Sequence, residues 1–319
     1  MPKNNIIEVR NLVKKYKKSK INAVDDISFE VKEGEFFALL GPNGAGKTTT
    51  ISVLTTTLAK TSGIVNIAGF DLDQNPSQVR ESIGVIFQNP SLDKNLTAEE
   101  NIRFHAILYG LYPFRPTFGL MPKAYKNKVD ELAKLLGLEK EIFKPIKTYS
   151  GGMKRKLEIV RSLIHKPKII FLDEPTSGLD PISRKSLWEY LMKVREEEKT
   201  TLFLTTHYLE EAEKADRVSI INNGKIVKIG TPSKIKQDLT REILIVDSKK
   251  RNALRDELLK NKIKFVENKH FDIDLKNKNA QKIIQSIKVP LSYLRTHTPT
   301  LEEAYLEIIR KETNGNEGN

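Results

Sequence analysis

Short apolar runs punctuate a polar chain. EFFALL ends at Leu40 and leads straight into GPNGAGKTTT, and GVIF (84–87), IIFL (169–172), TLFLT (201–205) and RVSII (217–221) follow. Runs of this length, bounded by turn residues, read as strands of a mostly buried sheet. Helical segments separate several of them, the first expected from the GKT text to about Leu58, so the pattern predicts an α/β fold. Helix starts are legible. Asn75-Pro76, Asp180-Pro181 and Thr231-Pro232 each place a capping side chain before a proline, which needs no amide hydrogen at the first helical position. Thr97 with Glu100 and Thr300 with Glu303 have capping-box spacing.

Beyond about residue 240 the text changes. ILIV (243–246), a helix near 251–261, KFV (264–266), FDIDL (271–275), a helix near 279–287, a strand near 291–295 and a helix from Leu301 predict a small α+β unit. The expected division is therefore 1–238 and 239–312, with 313–319, TNGNEGN, as a frayed tail. There is no internal repeat.

Composition narrows the class. The 319 residues are 30% charged and 39% hydrophobic with mean hydropathy −0.42, the balance of a folded, soluble protein. The longest apolar run, Phe36 to Leu40, is far short of the ~20 residues of a spanning helix, so no segment is expected to cross a bilayer. The absence of cysteine excludes disulfides and thiolate metal sites. Lys and Arg number 54 against 41 Asp and Glu, a net charge of +13 that favours anionic partners: nucleotide, nucleic acid or membrane headgroups.

Chemistry begins at Gly41. Gly41, Pro42, Asn43, Gly44, Ala45, Gly46, Lys47 and Thr48 match GxxxxGK[ST], between a strand and a helix, with Thr49 beside them. Glycines let backbone amides converge on phosphate oxygens, the helix end adds positive potential, and Lys47 reaches the β and γ phosphates. Thr48 can ligate Mg²⁺. The pattern calls for ATP or a similar triphosphate. KIIFLDEP supplies the complementary carboxylates at a strand end: Asp173 to hold Mg²⁺ through water, and Glu174 to polarise the attacking water as general base.

Three further pieces identify a family. YSGGMKRK (149–156) precedes the acidic pair, SGLD follows it at 177–180, and TTHYLEEAE puts His207 after the next strand. This set and order resemble the ATP-binding subunit of ABC transporters over roughly residues 6 to 235. The resemblance implies a P-loop NTPase domain with a helical subdomain at about 89–165. It also implies that Ser150, Gly151 and Gly152 open a helix aimed at the γ-phosphate held by a second subunit. The family's commonest text has Leu and Gln where Tyr149 and Met153 stand here. His207 matches the switch histidine. Gln88 matches the glutamine that touches Mg²⁺ and water and senses the membrane partner. Tyr16, upstream of the Gly41 loop, matches the aromatic that stacks on adenine. Asp180 matches the D-loop aspartate and is also the helix N-cap.

What the resemblance implies for assembly is a head-to-tail dimer, either of identical copies or as a heterodimer, with ATP at the interface. That dimer would be carried at the cytoplasmic face of the cell membrane by a separately encoded permease. The C-terminal unit resembles the extra domain of drug- and lipid-exporter ATPases of the daunorubicin-resistance type, and its role is open between dimer contact and regulation. Residues 109–125 hold five aromatics and three prolines, and read either as a docking or lipid-facing protrusion or as an insertion folded on its own core. The lysines from Lys14 to Lys20 read as a solvated hairpin or a lipid-attracted one. The rival function is a nucleic-acid or ribosome-acting ATPase of the same superfamily. It is disfavoured by the single ATPase unit, by a stretch between Lys47 and Asp173 too short for a long coiled coil, and by the lack of cysteines.

Overall fold

A computed structural model of the chain describes residues 5–88, 91–239, 242–275, 279–297 and 300–316. Two compact units divide it, Met1–Ile229 and Gly230–Asn319. The first carries, in chain order, β1 (Asn5–Lys14), β2 (Val24–Lys32), β3 (Phe36–Leu40), α1 (Lys47–Leu54), β4 (Ser62–Ile67), β5 (Phe70–Asp71), α2 (Pro76–Ser82), β6 (Ile83–Ile86), α3 (Ala98–Leu108), α4 (Lys123–Leu136), α5 (Gly151–Leu163), β7 (Ile169–Asp173), α6 (Pro181–Glu198), β8 (Thr201–Thr206), α7 (Leu209–Ala212), β9 (Arg217–Asn222) and β10 (Lys225–Gly230). The second carries α8 (Pro232–Leu239), β11 (Ile243–Asp247), α9 (Arg251–Lys260), β12 (Phe265–Glu267), β13 (Phe271–Asp274), α10 (Ala280–Ser286), β14 (Tyr293–His297) and α11 (Leu301–Asn316).

The five apolar runs of the sequence become strands of a six-stranded sheet in the order β10-β9-β3-β8-β7-β6. The pairs β9/β3, β3/β8, β8/β7 and β7/β6 are parallel, and every residue of β3, β7 and β8 is buried. A strand covered on both faces has no solvent side, which is why these runs show no polar alternation. β9 returns into β10 through Asn223 and Gly224, both at positive φ, as a two-residue hairpin requires.

A second, antiparallel sheet of order β2-β1-β4-β5 is one the apolar runs did not reveal. Its signal was alternation. In β2 the buried side chains are Val24, Ile27, Phe29 and Val31, with polar or charged residues between them, the signature of a sheet with one wet face. An aromatic series ties the two sheets together: Phe29 stacks on Phe37 at 5.5 Å, Phe37 on Phe203 at 5.5 Å, and Phe203 meets Phe171 at 5.3 Å. Each fully buried ring of this kind is worth roughly 1.5–3 kcal/mol in transfer from water. Together they fix β3 and β7, the two strands whose ends carry the phosphate loop and the acidic pair. The lysine-rich stretch after Lys14 is the exposed turn between β1 and β2.

Caps set several boundaries. Asp180 Oδ1 accepts from the amides of Ile182 and Ser183, Thr97 and Glu100 close a reciprocal box, and so do Thr300 and Glu303. Thr231 Oγ1 accepts from Lys234. Asn75 differs: it precedes Pro76 at the start of α2, but its side chain makes no cap hydrogen bond. α1 also stops at Leu54, short of Leu58. The hydroxyls of Thr55 and Thr57 bond back to the carbonyls of Ile51 and Ser52, and Thr56 takes a positive φ of 61°, which terminates the helix.

The stretch 109–125 folds largely on its own core. Tyr125 is fully buried and takes Tyr112 and Phe118 edge-on, while Arg103 Nη1 donates to the carbonyls of Arg115 and Pro116. Phe114 and Leu120 stay exposed on its outer side.

In the second unit, a four-stranded antiparallel sheet of order β12-β13-β11-β14 is backed by Leu254, Leu258 and Ile283 from α9 and α10. α8 packs on α11, so the compact unit starts at Gly230 rather than at the expected 239. α11 continues to Asn316, through the first residues of the expected tail, and 317–319 lie outside the described residues. No described helix is long and apolar enough to cross a membrane.

Candidate active site

The loop 41–46 is shaped by what surrounds it. A Cβ on Gly41 would stand 2.3 Å from the Ile221 carbonyl oxygen, and one on Gly46, at φ +106°, would stand 2.5 Å from that of Ala23. Only glycine permits both approaches, and the loop is thereby pinned between β9 and the start of β2. At its end Lys47 is 4% exposed, and its Nζ donates to the carbonyls of Gly41 (2.9 Å) and Pro42 (3.1 Å) and pairs with Glu174 Oε1 at 3.3 Å. The two carbonyls are its hydrogen-bond acceptors, and Glu174 is an ion-pair contact without the alignment of a hydrogen bond.

β7 delivers the carboxylates beside it. Asp173 is buried, and its Oδ1 accepts from Thr205 Oγ1 and, at 3.4 Å, from Thr48 Oγ1. Burial pushes its pKa above the ordinary aspartate value, against the pull of the two hydroxyls and the Lys47 charge. Glu174 is held at φ 46°, an uncommon backbone for a residue with a side chain, with its amide donating to the Thr205 carbonyl at 3.0 Å. That turn swings its carboxylate into the cleft. Gln88 Nε2 donates to Oε2 at 3.3 Å, and His207 Nδ1 lies 3.1 Å from Oε1 without the alignment of a hydrogen bond.

The result is an open cleft of about 480 Å³ lined by Asn43, Gly44, Gly46, Lys47, Thr48, Thr49, Gln88, Glu174 and His207, together with Ala23, Ser177 and Tyr208. Residues as distant along the chain as Asn43 and His207 collapse into one polar concavity. Tyr16 reaches its margin: its hydroxyl is 3.3 Å from Thr49 Oγ1, its ring is partly exposed, and Lys14 Nζ stands 5.4 Å over the ring.

Ser150, Gly151, Gly152 and Asp180 do not line this cleft. Ser150 is exposed and N-caps α5, accepting from the Met153 amide at 3.2 Å. Position 153 thus contributes its backbone here. A Cβ on Gly152 would meet Ser183 Oγ at 2.9 Å, on the helix that Asp180 caps, so the two helix starts abut. Hydrogen bonds from the hydroxyl and amide of Ser183 hold the Asp180 carboxyl below its usual pKa.

Sequence reasoning missed supporting residues. Glu211 accepts from Thr176 Oγ1 and Thr206 Oγ1, clamping the turns after β7 and β8. Arg155, in the second turn of α5, is buried under the cleft. No local pattern marks either one, since a charged residue within a helix reads as solvated until the fold covers it.

The cleft suits a triphosphate with Mg²⁺. Asn43, Gly44, Gly46, Lys47 and Thr48 line it, and Asp173, bonded to the Thr48 hydroxyl, adds a desolvated carboxylate whose charge a cation would offset. No cluster of three or more acidic or histidine ligands exists among the described residues. Magnesium accords with that, as it binds through one or two protein oxygens, waters and substrate phosphates.

Comparison with known proteins agrees with this geometry. Residues 24–177 match the ABC transporter family. The chain is 37% identical over 235 residues to the probable multidrug ABC transporter ATP-binding protein YbhF of Escherichia coli, a match that takes in 74% of this chain but 39% of YbhF. It is 39% identical over 252 residues to the doxorubicin resistance ATP-binding protein DrrA of Mycobacterium tuberculosis, covering 78% of this chain and 73% of DrrA. With the linearmycin resistance ATP-binding protein LnrL of Bacillus subtilis it shares 32% identity over 317 residues, 95% of this chain and 98% of LnrL. A solved dimer of an ATP-binding cassette in a post-hydrolysis state with ADP and Pi has a TM-score of 0.63 at 27% identity, over 70% of this chain and 98% of that one. A match that runs through nearly all of LnrL and most of DrrA makes this chain a member of the ABC transporter family, among its ATP-binding subunits, with the P-loop NTPase fold.

Proposed function

We propose that the chain hydrolyses ATP as a head-to-tail dimer and thereby powers a separately encoded permease that exports hydrophobic cargo such as drug or lipid. The observation that carries the reading is the meeting of Lys47, Glu174 and Gln88 within 3.3 Å in one cleft. A triphosphate is the ligand whose charge can draw Lys47 away from Glu174. Glu174, so released, accepts a proton from the attacking water, with Gln88 and His207 beside it to orient that water. Thr48, Asp173 and Gln88 would hold Mg²⁺, which neutralises charge on the phosphate oxygens when bound. Tyr16 would stack on the adenine.

Ser150 supports the dimer. Its hydroxyl and the free amides at the start of α5 form an anion-favouring helix end outside the chain's own cleft, so the γ-phosphate they serve is one held by a second copy. Gly151, Gly152 and Asp180 would line the same seam. The permease places the dimer at the cytoplasmic face of the membrane. DrrA, LnrL and YbhF carry resistance or multidrug-transport names, which supports hydrophobic cargo.

The test is ATP turnover by the purified chain with and without its permease, in proteoliposomes loaded with a hydrophobic dye. Magnesium-dependent turnover, lost in Lys47→Ala and coupled to dye movement, is expected. Turnover stimulated by RNA and indifferent to the permease would overturn the transport reading.

A further inference from the structure

Beneath the cleft one guanidinium touches the backbone on both sides of it. Arg155 is 4% exposed. Its Nε donates to the Pro175 carbonyl at 2.8 Å, and its Nη1 to the Phe87 carbonyl and to Glu158 Oε2, the latter at 2.9 Å. Nη2 reaches the carbonyls of Gln88 and Glu174, each at 3.4 Å. The backbone groups at the two reacting side chains, 87 and 88 after one strand and 174 and 175 after the other, are thus gathered on one rigid plane. That plane rides on α5, whose first turn Ser150 caps.

The ion pair alone does not call for a charge here. A buried ion pair such as Arg155 with Glu158 can usually be replaced by neutral groups of similar volume at little cost, and α5 already buries Leu157, Ile159 and Val160. Burial works against the guanidinium, lowering its pKa, and Glu158 works for it. What an apolar residue could not do is hold four carbonyls from two strand ends at once, and a lysine could not hold them in a plane.

We propose that Arg155 is a positioning residue that sets Gln88 and Glu174 at hydrolytic distance and links their setting to the Ser150 end of α5. This rests on the ATPase reading above. A shift of α5, as the partner's nucleotide engages Ser150, carries the guanidinium and moves the paired carbonyls with it.

The variant to make is Arg155→Met with Glu158→Gln. It removes both charges together and leaves a side-chain oxygen at position 158 to accept the Ser91 amide, as Glu158 Oε1 does at 2.9 Å. The expected result is ATP affinity close to that of the parent, a melting temperature lowered by the carbonyls left without a donor, and, at a temperature where the variant is folded, kcat down about tenfold to a hundredfold, the scale of a small misplacement of reacting groups. Parent-like kcat in this folded variant overturns the proposal. If it melts early, Arg155→Lys, which keeps the charge, decides: lowered kcat at unchanged ATP affinity supports positioning, and parent-like kcat refutes it. Absence of ATP turnover in the parent, with its permease present, defeats the ATPase reading and this inference together.

Discussion

In the structure Lys47 holds two loop carbonyls and is paired with the Glu174 charge, and this makes Glu174→Gln an informative change. The ammonium is shared among two loop carbonyls and Glu174 Oε1, at 2.9, 3.1 and 3.3 Å, with both side chains nearly buried. An incoming phosphate competes with that carboxylate, the one partner it replaces charge for charge. At an effective dielectric of about 20 the pair attracts by roughly 5 kcal/mol before desolvation is subtracted, and the burial of both charges offsets most of that. Gln keeps the shape and the bond to Gln88 but gives up the charge, so about 1–2 kcal/mol should be released to nucleotide binding, about fivefold to thirtyfold in Kd. Turnover should fall by about 10²–10⁴ as the base is lost. Equilibrium titration with ATP in EDTA isolates the first effect, and magnesium-dependent phosphate release measures the second. Size-exclusion chromatography at saturating ATP and magnesium should show a trapped dimer. Unchanged or weaker ATP binding refutes the displacement argument, parent-like turnover refutes Glu174 as base, and a monomer at saturation counts against the shared interface.

Three other changes test separate links. Gly46→Ala drives a Cβ to 2.5 Å from the Ala23 carbonyl at φ +106°, so ATP binding should be abolished by loop displacement; a parent-like Kd by titration contradicts it. Ser150→Arg should leave ATP binding by the monomer intact and remove dimer formation and turnover, read by titration and light scattering; turnover at the parent's rate shows that no second copy needs this helix end. Burial, with the charges of Arg161 and His165 adding to it, pushes the His105 pKa down to about 3. Its contribution is therefore complete above about pH 6.5 and is lost as pH falls toward 3, because the unfolded chain takes up a proton that the folded one refuses. That should cost about 2 kcal/mol by pH 5, and His105→Phe should flatten the melting temperature between pH 7 and 5; equal slopes for parent and variant exclude His105 as the source.

Much of this protein is decided within a few residues of chain. The phosphate loop, the acidic pair at the end of an apolar run, and the Thr97, Asp180 and Thr300 caps are local, because turn geometry, capping and the step from strand to helix each depend on neighbours in sequence. The antiparallel sheet left a local mark as well, the alternation of β2, but a reading that follows unbroken apolar runs passes over it. Tertiary structure decided the rest. Whether Lys47 meets Glu174, far away along the chain, depends on β3 and β7 lying either side of β8 in one parallel sheet. Packing around Thr205 buries Asp173 and turns Glu174 into its left-handed backbone, and no propensity announces that. Arg155 is an ordinary basic helix residue until two strand ends close over it. Spacing along a chain can mark which groups carry chemistry. The dielectric around them, and the partners that use up their hydrogen bonds, exist only once distant segments have packed.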